Sequence, residues 1–398
     1  MFSIKKTVKA YPQSIWLLTL IEFLFISRKT IFNVSRDVGD YSATVDSSTS
    51  LAMVGIACSF LFIIKYQRFI KQIQKMMMGL LGVYVLSALS CLWSGNTFSI
   101  LFKVTEVFAN IYVVGIILIL LYRSCDTKHI IYYIIIFCLI ATYAEVLPEM
   151  SRKGFGFHHT NAYSYSAMIA LLLCIGCIRF KLFKITELKW SLILAFAAWL
   201  GGTSTASYIA CLAGLFLLYS SSKTGLSIKN TLIILVLCIT MYTYFGDVVY
   251  SFIRAGHSEE EMQSGTGRSV IWEAAYMSFK DNPLLGSGFV VGEREMCMKN
   301  GYDFQVLSAH NSFISVIVNT GLVGFFLFLR FLFKWGKMIY MSSKQNVIST
   351  ILFPIYAAII INSAACPSIG SDWGIVSSCV CLIIGLSFLP LKGYNLRD

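Results

Sequence analysis

Apolar runs of about the length of a membrane helix recur along the whole chain. Twelve runs are found at about 14–27, 48–64, 76–93, 100–122, 129–148, 162–180, 188–201, 204–220, 230–250, 309–329, 350–366 and 372–390. A helix needs roughly 20 apolar residues to cross the hydrocarbon core of a bilayer. The pattern therefore predicts an all-α, polytopic integral membrane protein with about twelve transmembrane helices in one membrane domain. The first run resembles a signal peptide, but no small-residue cleavage site follows it, which favours an uncleaved first span.

One long polar segment, residues 251–308, interrupts this pattern. It separates nine predicted spans in residues 1–250 from three in residues 309–398. This segment is expected to carry short amphipathic helices, and within it "GRSVIWEAAYMSFKDNP" predicts a surface helix of about three turns that stops at Asn282-Pro283. "LLGSGF" then supplies two glycines for a tight turn with close backbone approach. A long loop in a compact protein is usually functional or disordered, and this composition is not that of a disordered segment.

Composition and charge agree with a membrane protein and give its orientation. The chain is 57% hydrophobic and 13% charged, which excludes a soluble globular domain. Of the Lys and Arg residues, 21 fall on the segments predicted to lie inside and only five on the short outer loops. The positive-inside rule then places both termini in the cytoplasm and residues 251–308 outside. The net charge of +12 is thus explained by orientation and not by a nucleic acid partner.

Most of the histidines collect on the predicted outer side. These are His158, His159, His257 and His310, whereas His129 lies elsewhere. His310 stands at the mouth of the tenth span with Asn311 beside it, and an imidazole there can act as a base near neutral pH. The alternative is a histidine that only bonds a loop carbonyl where a helix starts.

Arg268 begins the predicted surface helix. A guanidinium at that place can bind a phosphate or diphosphate in bidentate fashion, assisted by the amides of the helix N-terminus. An interfacial arginine that meets lipid headgroups is the alternative reading, and the residues alone do not separate the two.

Other charged and sulfur-containing residues receive less specific interpretations. Lys103 and Glu106 are three residues apart in the fourth span and could pair, for function or for structure. The "CIGC" stretch at 174–177 has metal-type spacing but predicts helix packing. Glu293 and Glu295 are interpreted as solvated loop charges. Without an Asp-x-Asp or His-Glu-x-x-His motif, the chain predicts neither a metal nor another cofactor.

Two stretches together resemble a known family. "TGRSVIWEAAYMSFKDNPLLGSGF", followed by "SAHNSFISVIVNTGLVGFFLF", resembles the O-antigen ligase/polymerase family of bacterial envelope enzymes. The matching elements are Gly267-Arg268, Trp272, Pro283, Gly286 with Gly288, His310-Asn311, and Gly321 with Gly324. The earlier "GFHHTNAYS" resembles the family's His-x-Asn element. The strong resemblance covers about residues 264–330.

The resemblance implies a glycosyltransferase of the bacterial inner membrane whose site faces the periplasm. The donor would be a glycan on undecaprenyl diphosphate, and the acceptor a sugar hydroxyl on a lipid-linked repeat or on lipid A-core. The reaction would be metal-independent and inverting, with Arg268 stabilising the leaving diphosphate and His310 activating the acceptor. Membrane lipids and a chain-length regulator are further implied partners. The predicted substrate-binding residues are Asn311, Trp272, His159, Asn161, Arg152 and Arg254.

The sequence departs from the family pattern in one place. "GGTSTAS" at 201–207 has Thr205 after Ser204, where the family often has an arginine. Arg152, Lys153 and Arg254 are candidates to replace it. The departure favours a polymerase over a ligase. A lipid-linked glycan flippase or transporter is the alternative of another class, although no repeated halves are visible; a non-enzymatic assembly protein is third.

Overall fold

The structure is a computed structural model that describes residues 12–31, 47–153, 161–202, 204–222, 225–226, 268–302, 306 and 308–390. Thirteen α-helices lie in these ranges: α1 Gln13–Ile31, α2 Ser47–Lys65, α3 Ile70–Leu89, α4 Thr97–Ser124, α5 Thr127–Lys153, α6 Asn161–Arg179, α7 Ile185–Gly201, α8 Thr205–Ser220, α9 Arg268–Asp281, α10 Val291–Lys299, α11 Ser312–Ser343, α12 Val347–Ser363 and α13 Ile375–Phe388. Short 3-10 turns at Gln67–Phe69 and Ser90–Leu92 flank α3. Strands β1 Ser221–Ser222 and β2 Gly225–Leu226 form a small antiparallel ribbon.

The helices confirm the predicted class of helical membrane protein. Eleven of the twelve predicted spans coincide with helices, and the ninth, at 230–250, lies outside the described residues. Among the described residues, five helices are long and apolar enough to cross a membrane: Gln67–Leu92, Thr97–Ser124, Thr127–Pro148, Asn161–Arg179 and Ser312–Ser343. The total of twelve spans remains a prediction.

Helix α13 lies at the centre of the bundle. Its residues from Ile375 to Leu386 are buried, and the helix packs against α4, α5 and α6. A helix that is apolar on all sides is stable only when other elements surround it. The "CIGC" stretch is likewise buried within α6, with Cys174 and Cys177 inaccessible to solvent. Its predicted packing role is therefore confirmed.

The long polar segment enters the bundle through a break in α11. Gly321 has φ +62°, outside the helical region, and divides the helix into two pieces. The broken backbone is completed by the turn after α9: Ser287 N–H donates to the Val318 carbonyl at 2.9 Å, and Leu322 N–H donates to the Pro283 carbonyl at 2.9 Å. Non-helical backbone is tolerated within a membrane protein when other protein groups satisfy it in this way.

Glycine is required at this joint for steric reasons. Gly286 has φ +70°, and a Cβ on it would lie 2.5 Å from the Thr320 backbone nitrogen. A Cβ on Gly321 would overlap the Leu284 carbonyl. The close-approach turn predicted from "LLGSGF" is thereby confirmed, and it holds residues 283–288 against α11.

Candidate functional site

Helix α9 carries the first candidate residue and packs through one face. Ile271, Ala274 and Ala275 are buried at spacings of three and four residues, and Met296 and Val318 belong to the same cluster. The predicted helix is confirmed, with 14 residues instead of about three turns, and its place at the membrane surface remains a prediction. Helices α10 and α11 receive its apolar face, so its N-terminal turn has a fixed place beside them.

Arg268 starts α9, and Trp272 lies one turn later on the same side. The Trp272 indole N–H donates to the Ala309 carbonyl at 3.0 Å. This hydrogen bond brings the start of α9 to the residue directly before His310. Arg268 is partly buried, and desolvation lowers its pKa from the ordinary arginine value. It is a cation in a partly desolvated place, where its attraction for an anion is stronger than in bulk water.

His310 lies at the predicted position before α11, and its side chain is exposed. Its φ of +53° is in the left-handed region, which is unusual for a residue with a side chain. The neighbouring Asn311 is the N-cap of α11: its side-chain oxygen accepts from Phe313 N–H at 2.9 Å and Ile314 N–H at 3.2 Å. Asn311 thus fixes where α11 begins, and its predicted contact with substrate stays a prediction.

The structure corrects the interpretation of Glu293 as a solvated loop charge. It lies on α10, a helix whose position the sequence reading did not predict, and is only 2% exposed instead of solvated. Its carboxylate accepts from Ala309 N–H at 2.9 Å and from the Asn319 side-chain amide at 2.6 Å. Burial raises its pKa to about 7. By contrast, Glu295 forms a surface ion pair with Lys299 at 2.5 Å, in agreement with a solvated charge.

A cavity of about 280 Å³ lies beside these residues. It is bounded by the end of α5, the start of α6, helix α10 and the loop before α13, and its polar lining includes Glu145, Glu293, Arg294, Ser308 and Asp372. Carboxylates, hydroxyls and a guanidinium can together accept and donate hydrogen bonds to a polyhydroxylated ligand. The volume is near the lower end of the usual range for small-molecule sites.

Charged residues at the edge of this cavity form a linked group. Lys103 Nζ lies 3.3 Å from Glu106 Oε2, which confirms the predicted pair. The same amine lies 3.0 Å from Asp372 Oδ2, and Arg294 approaches that oxygen at 3.6 Å. The Arg294 Nε is buried with no hydrogen-bond partner among the described residues. The sequence reading missed Arg294 and Asp372, because only the fold brings α4, α10 and the loop before α13 together.

The place of the absent family arginine is occupied by a neutral contact. Ser204 donates through its hydroxyl to the Asn161 side-chain oxygen at 2.7 Å, so the start of α6 meets the start of α8. The described part of the chain therefore places Asn161 in a structural contact. His159, Arg254 and the side chains of Arg152 and Lys153 lie outside the described residues, so their assigned roles remain predictions.

The fold and this cluster define a helical membrane protein with a polar, charged site at one side of its bundle. Residues 190–329, from α7 into α11, match the model of a family described as O-antigen ligase. The match includes Arg268, Trp272 and His310, and it confirms the resemblance seen in the sequence. No curated protein matches the chain significantly. The family that this model describes is one of glycosyltransferase-like enzymes of bacterial membranes that act in general on lipid-linked sugars.

Proposed function

We propose that the protein is an inner-membrane glycosyltransferase that moves a glycan from undecaprenyl diphosphate to a sugar hydroxyl, with O-antigen or surface-polysaccharide polymerisation as its reaction. The observation that carries this proposal is the hydrogen bond from Trp272 to Ala309, because it places the turn that starts with Arg268 against the peptide before His310. A cation for the leaving group and a base for the acceptor thus belong to one site.

In the proposed reaction the acceptor oxygen attacks the anomeric carbon of the donor sugar. The bond from that carbon to the diphosphate oxygen breaks, the diphosphate leaves with the electron pair, and the configuration inverts. The acceptor proton passes to the His310 imidazole. Arg268 stabilises the negative charge that develops on the departing diphosphate. Because a diphosphate is already a weak base, this scheme needs no strong general acid.

The cavity lined by Glu145 and Asp372 is proposed to hold the acceptor sugar. Its carboxylates and serine hydroxyls offer hydrogen bonds to sugar hydroxyls, and Trp373 contributes an aromatic surface. Ser308, two residues before His310, belongs to the same lining. A sugar in this cavity would lie next to the segment that carries the proposed base.

The test is the surface glycan profile of a deletion strain on a silver-stained gel, complemented with the wild type, His310→Ala, Arg268→Ala or His129→Ala. Neither His310→Ala nor Arg268→Ala is expected to restore polymer, and each should reduce transfer in membrane vesicles by at least about 100-fold. His129→Ala is the matched control, since His129 pairs with Asp126 before α5, away from the proposed site. It should complement fully.

The same gel distinguishes polymerase from ligase. Core carrying a single repeat in the deletion strain supports a polymerase. Bare core together with accumulated lipid-linked polymer supports a ligase, the activity that the matching family's description names. Unchanged surface glycans in the deletion strain, or normal polymer made by His310→Ala at native expression, would contradict the proposal.

A further inference from the structure

The peptide before His310 is held from two sides by two different helices. Ala309 is fully buried. Its N–H donates to Glu293 on α10 at 2.9 Å, and its carbonyl accepts from Trp272 on α9 at 3.0 Å. Both polar groups of one residue are therefore fixed by side chains from outside its own segment.

The residue that follows needs this support. His310 has φ +53°, and the left-handed conformation is sterically unfavourable for a residue with a side chain. Such a conformation persists only when the surroundings fix it. Asn311 fixes the backbone after His310 by capping α11. The backbone from which the His310 side chain projects is thus held by the Ala309 peptide on one side and the helix cap on the other.

The hydrogen bonds of Glu293 are those of an ionised carboxylate. Oε2 accepts from Ala309 and Oε1 accepts from Asn319, so both oxygens face donors. A protonated carboxyl or an amide would turn one hydrogen towards a donor and lose one of these bonds. The charged and titratable groups around it are Arg294 on its own helix, Asp372 and Glu145 across the cavity, and Arg268 and His310 at the starts of the neighbouring helices.

We propose that Glu293 is a positioning residue, whose ionised carboxylate holds the Ala309 peptide and thereby orients His310 for proton transfer. The inference rests on the proposed function of His310. It concerns a residue that does not touch the substrate's reacting atoms and acts through the backbone.

The pH dependence of activity follows from the sign of the shift. Burial raises the pKa of Glu293 to about 7, so the carboxylate takes up a proton as the pH falls through this value. His310 also loses its capacity as a base when its imidazole is protonated. On the acid side two protonations then suppress transfer, and because the Glu293 protonation suppresses it only in part, the slope of log(kcat/KM) should rise clearly above 1 per pH unit without reaching 2.

Stability should change in the opposite direction. A carboxyl with a raised pKa stabilises the fold through its protonated form, and this contribution is lost as the pH rises from the ordinary value of 4.5 through about 7. At low pH the contribution of Glu293 to the stability of the fold is therefore greatest, whereas transfer is suppressed. A purely structural role would make activity and stability change together.

The experiment compares the wild type with Glu293→Gln, Glu293→Asp and Glu295→Gln in membrane vesicles, with lipid-linked oligosaccharide extracted from the deletion strain as the donor. Glu293→Gln is expected to lower kcat about 10- to 100-fold, with little change in KM, and to reduce the acid slope to about 1. Glu293→Asp, which keeps the charge, should recover part of the rate. Glu295→Gln, on the same helix in a surface ion pair, is the matched control and should behave like the wild type.

Several results would overturn the positioning role. An acid slope of about 1 in the wild type would overturn the role by itself. Because this measurement needs no variant, the proposal remains testable if the Glu293→Gln protein fails to fold. Wild-type activity in Glu293→Gln, or an acid slope equal to that of the wild type, would overturn the role as well. If His310→Ala is inactive while Glu293→Gln is normal, the positioning role fails and the proposed function stands. If His310→Ala is active, the proposed function itself fails.

Discussion

Helices α4 and α11 both carry polar groups within apolar sequence, but they satisfy their backbones in different ways. Helix α4 runs unbroken from Thr97 to Ser124, capped at its start by the Asn96 side chain, which accepts from Ser99 N–H at 3.1 Å. Its buried polar side chains are the ion pair of Lys103 with Glu106, and Asn110, whose amide donates to the Glu106 carbonyl at 2.7 Å. Helix α11 breaks at Gly321 and depends on residues 283–288 to complete its hydrogen bonds.

The difference separates two sources of structural constraint. In α4 the backbone is satisfied locally, so the chemistry lies in the side chains and each charge must find its own partner. In α11 the backbone of residues 283–288 completes the hydrogen bonds of the helix. This arrangement restricts the backbone conformation there, and therefore which residue types can occupy these positions. The candidate site is attached to the second kind of helix.

The largest effect is expected from closing the break in α11. Gly321→Ala puts a Cβ against the Leu284 carbonyl in a backbone conformation that alanine rarely adopts. The combined strain and overlap should cost about 3 kcal/mol or more in the free energy of unfolding. The quantity can be measured by SDS titration of the purified protein. Gly82→Ala is the control, because no atom lies within 4 Å of its added Cβ in α3; it should be neutral or slightly stabilising. Equal stability of the two variants would contradict the steric requirement for glycine at position 321.

A smaller but clear effect is expected from the buried charge in α4. Lys103→Met removes the amine that pairs with both Glu106 and Asp372, while Arg294 still approaches Asp372. Removing one partner of a buried ion pair costs about 3 kcal/mol, less where another cation remains. The double variant Lys103→Met/Glu106→Gln should recover part of this loss in the same titration. A double variant less stable than the single one would contradict the pairing.

The smallest effect on folding is expected at the contact between α9 and the site. Trp272→Phe keeps the ring and removes the N–H that donates to Ala309, which should cost about 1 kcal/mol of stability. Transfer should fall about tenfold, because the Ala309 peptide is then held only from the Glu293 side. Trp190→Phe, at an exposed tryptophan in α7, controls for ring chemistry. Equal rates for the two variants would show that the indole N–H has no positioning role.

Much of the helical architecture could be predicted, because long apolar runs and turn residues are local signals. The bounds of α9, the stop at Asn282-Pro283 and the turn at Gly286 follow from residues adjacent in the chain. Glu293 could not be predicted in the same way. "GEREMCMK" has the alternating charge of a solvated segment, and the burial of Glu293 depends on Ala309 and Asn319, which are 16 and 26 residues away.

Part of the candidate site could be predicted from the sequence for the same reason. Arg268 and His310 stand at helix starts that the sequence marks, whereas Arg294 and Asp372 meet only when α10 and the loop before α13 are packed together. The break in α11 was marked by a glycine, but a glycine alone does not say that another segment enters there. That information lies in the pairing of Gly286 with Gly321.

This pairing has a consequence for how such a protein can diverge. A side chain at Gly286 would overlap the backbone around Gly321, and a side chain at Gly321 would overlap the backbone around Leu284. A mutation at either glycine is therefore harmful by itself and is not repaired by a mutation at the other. Both glycines must be retained together for the joint to persist. Residues that line the cavity, such as Ser377, lie outside this joint. New substrates can therefore be acquired at the cavity wall while the scaffold of the site is transmitted unchanged.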